Sequence, residues 1–127
     1  MRGESPMQKR YRLSRREDFA AVYRRGKSAA NYQFVVYYQP RPENEKIRLG
    51  VSVSRKVGKA VVRNRVRRLV KEIIRQMMER DQIRPGYDLV VIARKPAAEQ
   101  DFGAMERSLR HVLSRADLLQ PAHRGRT

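Results

Sequence analysis

The side chains best suited to chemistry in this sequence are the positively charged ones between residues 56 and 80. Placed at about 100° per residue, they gather on one side of a helix, where only Glu72 and Glu79 offset them. The polar residues of this face are Arg63, Asn64, Arg67, Arg68, Lys71 and Arg75. Like charges one turn apart repel each other, so a face that is merely solvated would favour intervening acids. The pattern predicts electrostatic binding of a polyanion, with a solvated surface as the alternative.

Aromatic rings form a second set of residues with possible chemistry. Phe19 and Tyr23 lie one helical turn apart in an arginine-rich segment, and both are candidates either for stacking on bases or for the ordinary core. Strand alternation assigns Tyr37 to a polar sheet face that also carries Arg48 and Ser52. A ring among hydrogen-bond donors on an open sheet face is typical of proteins that bind single-stranded nucleic acid. A surface tyrosine without a role is the alternative for Tyr37.

Composition points to the same class of partner. The 127 residues include 30 Lys and Arg against 13 Asp and Glu, so the net charge is +17 and nucleic acid is the expected ligand. The length predicts one domain. The absence of cysteine excludes disulfides and thiolate metal sites, and two histidines, His111 and His123, make a histidine-based catalytic centre improbable. No apolar run approaches the roughly 20 residues of a membrane span and no signal peptide is recognisable, so we expect a cytoplasmic protein without membrane contact.

The element that must position the cationic face is a helix predicted within the stretch from Lys56 to Arg80, and a basic turn with Gly58, at Arg55 to Lys59, leads into it. Its apolar residues recur at helical spacing and form a single stripe, which consists of Val62, Val66, Leu69, Val70, Ile73 and Met77. An earlier helix, from Arg15 to Arg25, is predicted from the capping-box pair Ser14 and Glu17 and from Gly26 as its stop.

The other elements follow from alternation, capping and turn residues. Strands are predicted at 27–31 (a short edge strand), 32–39, 47–54 and 87–94, and a last helix is predicted from Asp101 to about Leu119. We expect strand 47–54 to pair with strand 32–39, and the apolar run of strand 87–94 to make it an inner strand. The domain is predicted at 13–119, between a flexible basic arm at 1–12 and a disordered basic tail at 120–127.

One run of residues resembles a known family. The segment from Ser52 to Arg68, built around Arg63-Asn64-Arg65, is similar to the signature of the bacterial ribonuclease P protein subunit. Further stretches agree with that family in the same order: Arg12-Leu13, Asp18-Phe19, Gly26, Gln33-Phe34 and the run from Ile92 to Ala97. The resemblance covers roughly residues 10–118, and the extended signature is far more specific than a bare Arg-Asn-Arg.

The resemblance implies an α+β fold in the order α-β-β-β-α-β-α. It would be a two-layer α/β sandwich similar to the second domain of ribosomal protein S5, and the pattern analysis gives the same order independently. The family's βαβ crossover is left-handed, against the right-handed rule that the sequence alone would have suggested.

The resemblance also implies a function and a set of site residues. The family's complex removes the 5′ leader from precursor tRNA; its RNA subunit is catalytic and holds Mg²⁺, while the protein lowers the magnesium requirement and contributes no catalytic residue. Binding of the RNA subunit is expected of Arg63, Asn64, Arg65, Arg67, Arg68 and Lys71. Binding of the single-stranded leader is expected of Phe19, Tyr23, Tyr37, Arg48, Ser52 and Lys56. Tyr23 replaces a phenylalanine common in the family, which preserves stacking, and Asn64 is a candidate magnesium ligand.

Three other functions stay open at this point. A sequence-specific DNA-binding protein is disfavoured because nothing resembles a helix-turn-helix. A ribosomal protein of the same fold would lack a leader-binding cleft, and an autonomous nuclease would need a histidine or acidic centre. The expected partners are thus the RNA subunit of ribonuclease P and the precursor tRNA leader, and no obligate protein partner is inferred.

Overall fold

A computed structural model describes residues 8–120. Its helices are α1 (Arg16–Arg25), α2 (Ala60–Glu79) and α3 (Phe102–Arg115), and its strands are β1 (Lys27–Ala30), β2 (Phe34–Pro40), β3 (Arg48–Val53) and β4 (Tyr87–Ala93). Short 3₁₀ turns occupy Lys9–Tyr11, Arg55–Val57 and Lys95–Glu99. The predicted α+β class and the order α-β-β-β-α-β-α are confirmed.

The four strands form one sheet in the order β1-β2-β4-β3. β4 is therefore an inner strand and β1 an edge strand, as predicted. The expected pairing of β3 with β2 is wrong, because β4 lies between them, antiparallel to β2 and parallel to β3. A strand that is apolar on both faces needs neighbours on both sides, and the α2 crossover brings β4 into that place. The left-handed sense of this crossover stays a prediction.

The main core lies between one face of the sheet and the helices α2 and α3. The predicted stripe of α2 is confirmed, since Val66, Val70, Ile73 and Met77 are buried there and Val62 and Leu69 pack against them. The sheet contributes its alternate residues, which include Phe34, Val36, Leu49, Leu89 and Val91. These two layers form the predicted sandwich.

The opposite face of the sheet carries α1 and a second, smaller apolar cluster. Leu13, Val22 and Val90 are buried in it, and Phe19 and Tyr37 pack against them. Helix α1 thus lies apart from the other two helices, and it leaves part of this face uncovered. That uncovered part forms the site described below.

Several element boundaries differ from the sequence predictions. Helix α1 begins at Arg16 with Arg15 as its N-cap, so Ser14 does not cap it. Gly26 is the C-cap of the helix, as predicted, and a side chain does not fit there, because a Cβ would lie 2.5 Å from the carbonyl oxygen of Val22. The expected cap at Asp101 is confirmed, since its Oδ1 accepts a hydrogen bond of 2.9 Å from the amide of Ala104.

Regular structure and backbone contacts extend slightly beyond both predicted limits of the domain. Within the expected arm, residues 9–11 form a 3₁₀ turn and Arg12 forms a β-bridge to Leu49, while residues 1–7 lie outside the described residues. Helix α3 ends at Arg115 instead of Leu119, because the chain turns there and buries Leu118 against the core. Gln120 still donates its amide to Gln82, and the rest of the expected tail lies outside the described residues.

Candidate nucleic-acid interface

An open row of residues crosses the sheet on the α1 side. The registers place Ala30, Val35, Ile92 and Ser52 side by side on strands β1, β2, β4 and β3. Neighbouring strands are about 4.8 Å apart, so the row is about 14 Å long. None of the four residues is buried, although Val35 and Ile92 lie on the two inner strands. This row forms the floor of a cleft that runs across the strands.

Three aromatic rings border the floor on the α1 side, as the sequence predicted. Phe19 lies directly on Gly50, where an added Cβ would approach its ring to 2.5 Å. The Tyr23 and Tyr37 rings meet edge to face, with centroids 5.1 Å apart. Partial burial, and then the neighbouring Tyr37, raise the pKa of the Tyr23 hydroxyl, which therefore stays protonated at neutral pH. The three rings form a wall of the cleft that is partly exposed.

Positive charge borders the other side of the floor. A groove of about 350 Å³ opens at the carboxyl ends of β3 and β4, and it shares Ile92 with the floor. Its exposed charged side chains are Lys56, Arg94 and Lys95. Sequence analysis identified Lys56 and missed the other two as site residues, although both directly follow the inner strand β4. Residues that follow two neighbouring parallel strands lie at the same edge of the sheet. The positions of Arg94 and Lys95 after β4 could therefore have identified them as neighbours of Lys56.

The sequence prediction for Tyr37, Arg48 and Ser52 needs a correction. These residues share one sheet face as expected, but β4 separates Tyr37 from the other two, because β3 does not pair with β2. Arg48 also points its charge away from the cleft floor. Its Nε and Nη2 donate to the two carboxylate oxygens of buried Asp88 at 2.9 and 2.8 Å. Its charge is therefore neutralised inside the protein.

The cationic face of α2 divides into anchored and available side chains. Arg63 donates to the Gly58 carbonyl at 3.1 Å, and Arg65 donates to the Gln100 carbonyl at 2.8 Å, so both are tied to the fold. Arg75 is paired with Glu72 and Glu79. The available members are Arg67, Arg68 and Lys71, which have neither an acidic partner nor a hydrogen bond to a backbone carbonyl in the described residues; Arg67 donates only to the Asn64 side chain of the same helix.

One additional cation joins this face from the N-terminal segment. Partial burial, and then the charges of Arg12 and Arg67, lower the pKa of the Lys71 ammonium. Arg12 is brought there by its bridge to Leu49 at the β3 edge. Sequence analysis placed Arg12 in an unspecific arm, since nothing local indicates that contact. The resulting cluster of three cations is a place where an anion would be favoured.

Asn64 does not have the surroundings of a magnesium ligand. Its Oδ1, the only atom that would bind the ion, accepts a hydrogen bond of 2.8 Å from the Arg67 guanidinium. A cation would therefore have to displace another positive charge. In residues 8–120 no group of three or more His, Cys, Asp or Glu side chains is placed to hold a metal ion. Residues 8–120 thus do not fit a resident magnesium site.

These features define a class: a small α+β protein with a cationic helix on one side of its sheet and an aromatic cleft on the other. The Ribonuclease P family model matches residues 7–117. The ribonuclease P protein component of Geobacillus thermodenitrificans is 48% identical over 121 residues, which covers 95% of this chain and 97% of the relative. The chain therefore belongs to the ribonuclease P protein family.

Solved structures of the family have the same fold. The Staphylococcus aureus RNase P protein superimposes with a TM-score of 0.78 at 39% identity, covering 87% of this chain and 98% of that one. The Thermotoga maritima RNase P protein gives 0.73 at 38% identity, with coverages of 82% and 96%. A second S. aureus structure, of a mutant with defective mRNA degradation activity, also gives 0.78 at 39% identity and covers 85% and 89%. In the described part of this chain, no helix has the length and apolarity to cross a membrane.

Proposed function

We propose that this protein subunit of ribonuclease P holds the single-stranded 5′ leader of precursor tRNA in its cleft. The observation that carries the proposal is the open row of residues between an aromatic wall and a cationic edge. Bases stack on aromatic side chains for roughly 1 to 3 kcal/mol each, without a strong sequence requirement. Phe19, Tyr23 and Tyr37 supply the rings. Lys56 and Lys95 supply charges for the phosphates, and Arg94 adds a third charge while its Nη1 donates to the Asn31 carbonyl at 3.1 Å.

The α2 face is proposed to bind the RNA subunit. Arg67, Arg68 and Lys71 project from one side of a rigid helix and have no acidic partner in the described part of the chain. Replacing condensed counterions on phosphates with such side chains releases those ions and favours binding. The 3₁₀ turn Arg55–Val57 directly connects the cleft edge to the start of α2. A leader in the cleft would thus lie close to RNA held by the helix.

The chemical step is proposed to belong to the RNA subunit. Magnesium ions bound to RNA would activate the water that attacks the phosphodiester. The side chains of this chain bind and orient the substrate, and their positive charge partly replaces that of magnesium near the phosphates. The protein would therefore lower the magnesium concentration that cleavage requires.

Cleavage assays with separate and combined subunits test this division of roles. RNA subunit, protein and their mixture are each incubated with precursor tRNA over a magnesium titration. We expect cleavage by the RNA alone at high magnesium, cleavage by the mixture at lower magnesium, and none by the protein. An unchanged magnesium requirement in the mixture would refute the proposed role.

The S. aureus mutant with defective mRNA degradation activity suggests a second candidate function, degradation of mRNA. A single strand bound in the cleft is compatible with that activity. The same assay with an unstructured mRNA fragment and highly purified protein distinguishes the two. Cleavage of the fragment by RNA-free protein would show that the chain carries a nuclease centre of its own.

A further inference from the structure

We infer that Arg48 is a positioning residue: it connects buried Asp88 to Asp18 and thereby fixes α1 over the sheet at the width that the leader requires. The inference rests on the proposed leader-binding function of the cleft. It assigns Arg48 a role different from the direct leader contact that the sequence suggested.

On the sheet side, Arg48 is held by the carboxylate of Asp88, a residue of the inner strand β4. The residue is only 1% exposed, and a buried carboxylate is stable only when it is paired and hydrogen-bonded. Its oxygens accept two hydrogen bonds from Arg48 and one of 2.9 Å from the Asn44 side chain. Arg41 approaches to 3.5 Å and adds a second positive charge. Asp88 is thus held from several sides.

The guanidinium of Arg48 has little capacity left for a phosphate. Its Nε and Nη2 are used by Asp88, and its Nη1 lies 3.8 Å from Oδ2 of Asp18. A two-point contact with one carboxylate fixes the plane of the guanidinium. The third nitrogen is therefore presented to α1 in a defined direction.

Asp18 is the residue of α1 that Arg48 contacts, and its Oδ2 also accepts a hydrogen bond of 3.4 Å from Nε of the exposed Arg15 at the N-cap of the helix. It lies in the first turn of the helix, next to Phe19, and its side chain is 14% exposed. A helix of ten residues is marginal by itself and depends on tertiary contacts for its position. The contact with Arg48 and the packing of Phe19 on Gly50 act at the same end of α1. Loss of the charge contact should let the aromatic wall move relative to the floor.

Whether Asp18→Asn strengthens or weakens RNA binding distinguishes a positioning role from a purely electrostatic one. Asp18→Asn removes a negative charge, so a purely electrostatic role predicts tighter binding of every RNA. Positioning predicts weaker binding of the leader alone. Glu17→Gln is the matched control, because Glu17 lies in the same first turn, is exposed and makes no ion pair in the described residues.

The experiment compares the assembled enzyme's affinity for precursor tRNA and for mature tRNA. For Asp18→Asn we expect affinity for the precursor to fall by about 2- to 10-fold, the lower part of the range typical of coupling between neighbouring residues, and affinity for mature tRNA to stay the same. Glu17→Gln should leave the precursor-to-mature ratio unchanged. In a double variant with Tyr23→Ala the effect of Asp18→Asn should shrink, because the ring that it positions is absent.

Equal or tighter binding of the precursor by Asp18→Asn would overturn the inference, as would an equal loss for both RNAs. Tyr37→Ala, measured beside it, tests the proposed function separately. If Tyr37→Ala selectively weakens the precursor and Asp18→Asn does not, only the positioning role fails. If Tyr37→Ala has no effect, the cleft itself is not the leader site.

Discussion

Replacement of Arg67 and Arg68 by glutamine should flatten the salt dependence of RNA-subunit binding. Both side chains lack an acidic partner in the described part of the chain. Arg65 is a poor choice for this test, because its hydrogen bond to the Gln100 carbonyl also secures the segment before α3. Substitutions on the exposed side of α2 usually change stability by no more than about 0.5 kcal/mol, so the fold should persist.

The size of the effect follows from counterion release. Each lost phosphate contact flattens the slope of log affinity against log salt by about 0.7 to 0.9 units, so two contacts give about 1.4 to 1.8 units. The same relation predicts a loss of about 25- to 60-fold at 0.1 M salt and almost none at 1 M salt. The two affinity curves should therefore converge at high salt.

The assay is equilibrium binding of the labelled RNA subunit over a salt titration, with thermal unfolding of each variant as a check on the fold. Arg75→Gln is the matched control on the same helix, because Glu72 and Glu79 already neutralise Arg75. Its slope should equal that of the unaltered protein, although its stability falls. An unchanged slope for the double variant, or an equal flattening for Arg75→Gln, would refute the assignment of this face to RNA.

Further predictions concern packing and charge. Gly50→Ala should push Phe19 from its place, cost about 1 to 3 kcal/mol of stability and weaken precursor binding in the tRNA assay above. Lys71→Gln should raise the thermal midpoint, because burial and like charges disfavour the ammonium, while it weakens RNA binding; a lowered midpoint would contradict this. Arg75 holds the pKa of Glu72 below its ordinary value of 4.5, so this pair contributes stability above that pH and loses it as the pH falls through the lowered value. The difference in unfolding free energy between the protein and Arg75→Gln should thus shrink in acid, and a difference independent of pH would exclude the pair as its cause.

The features predictable from sequence were those with a local period. The stripe of α2 and the alternation of β2 and β3 are repeated patterns, so the order of elements and the faces of Tyr37 and Leu49 followed directly. The end of α1 was also local, since Gly26 marks it. The resemblance to the family contributed what the pattern alone could not, namely which RNA ligands to expect.

The features missed were contacts between residues far apart in the chain. Nothing near Arg48 indicates that its charge belongs to Asp88, which lies 40 positions away. The same applies to Arg65 and Gln100, and to Arg12 beside Lys71. Strand partners are non-local too, which is why β3 was assigned to the wrong neighbour. Such contacts decide which cations are available to a ligand, and composition counts all cations alike.

The central claim is that the aromatic cleft binds the leader of precursor tRNA. The most direct test is the affinity of the assembled enzyme carrying Tyr37→Ala for precursor tRNA with a leader of several nucleotides and for mature tRNA. Tyr32→Ala is the control, because Tyr32 is 71% exposed and packs in neither apolar cluster. Loss of one stacked base predicts about 5-fold to more than 100-fold weaker binding of the precursor, and unchanged binding of mature tRNA. Equal effects on both RNAs, or no effect on either, would show that the cleft does not hold the leader.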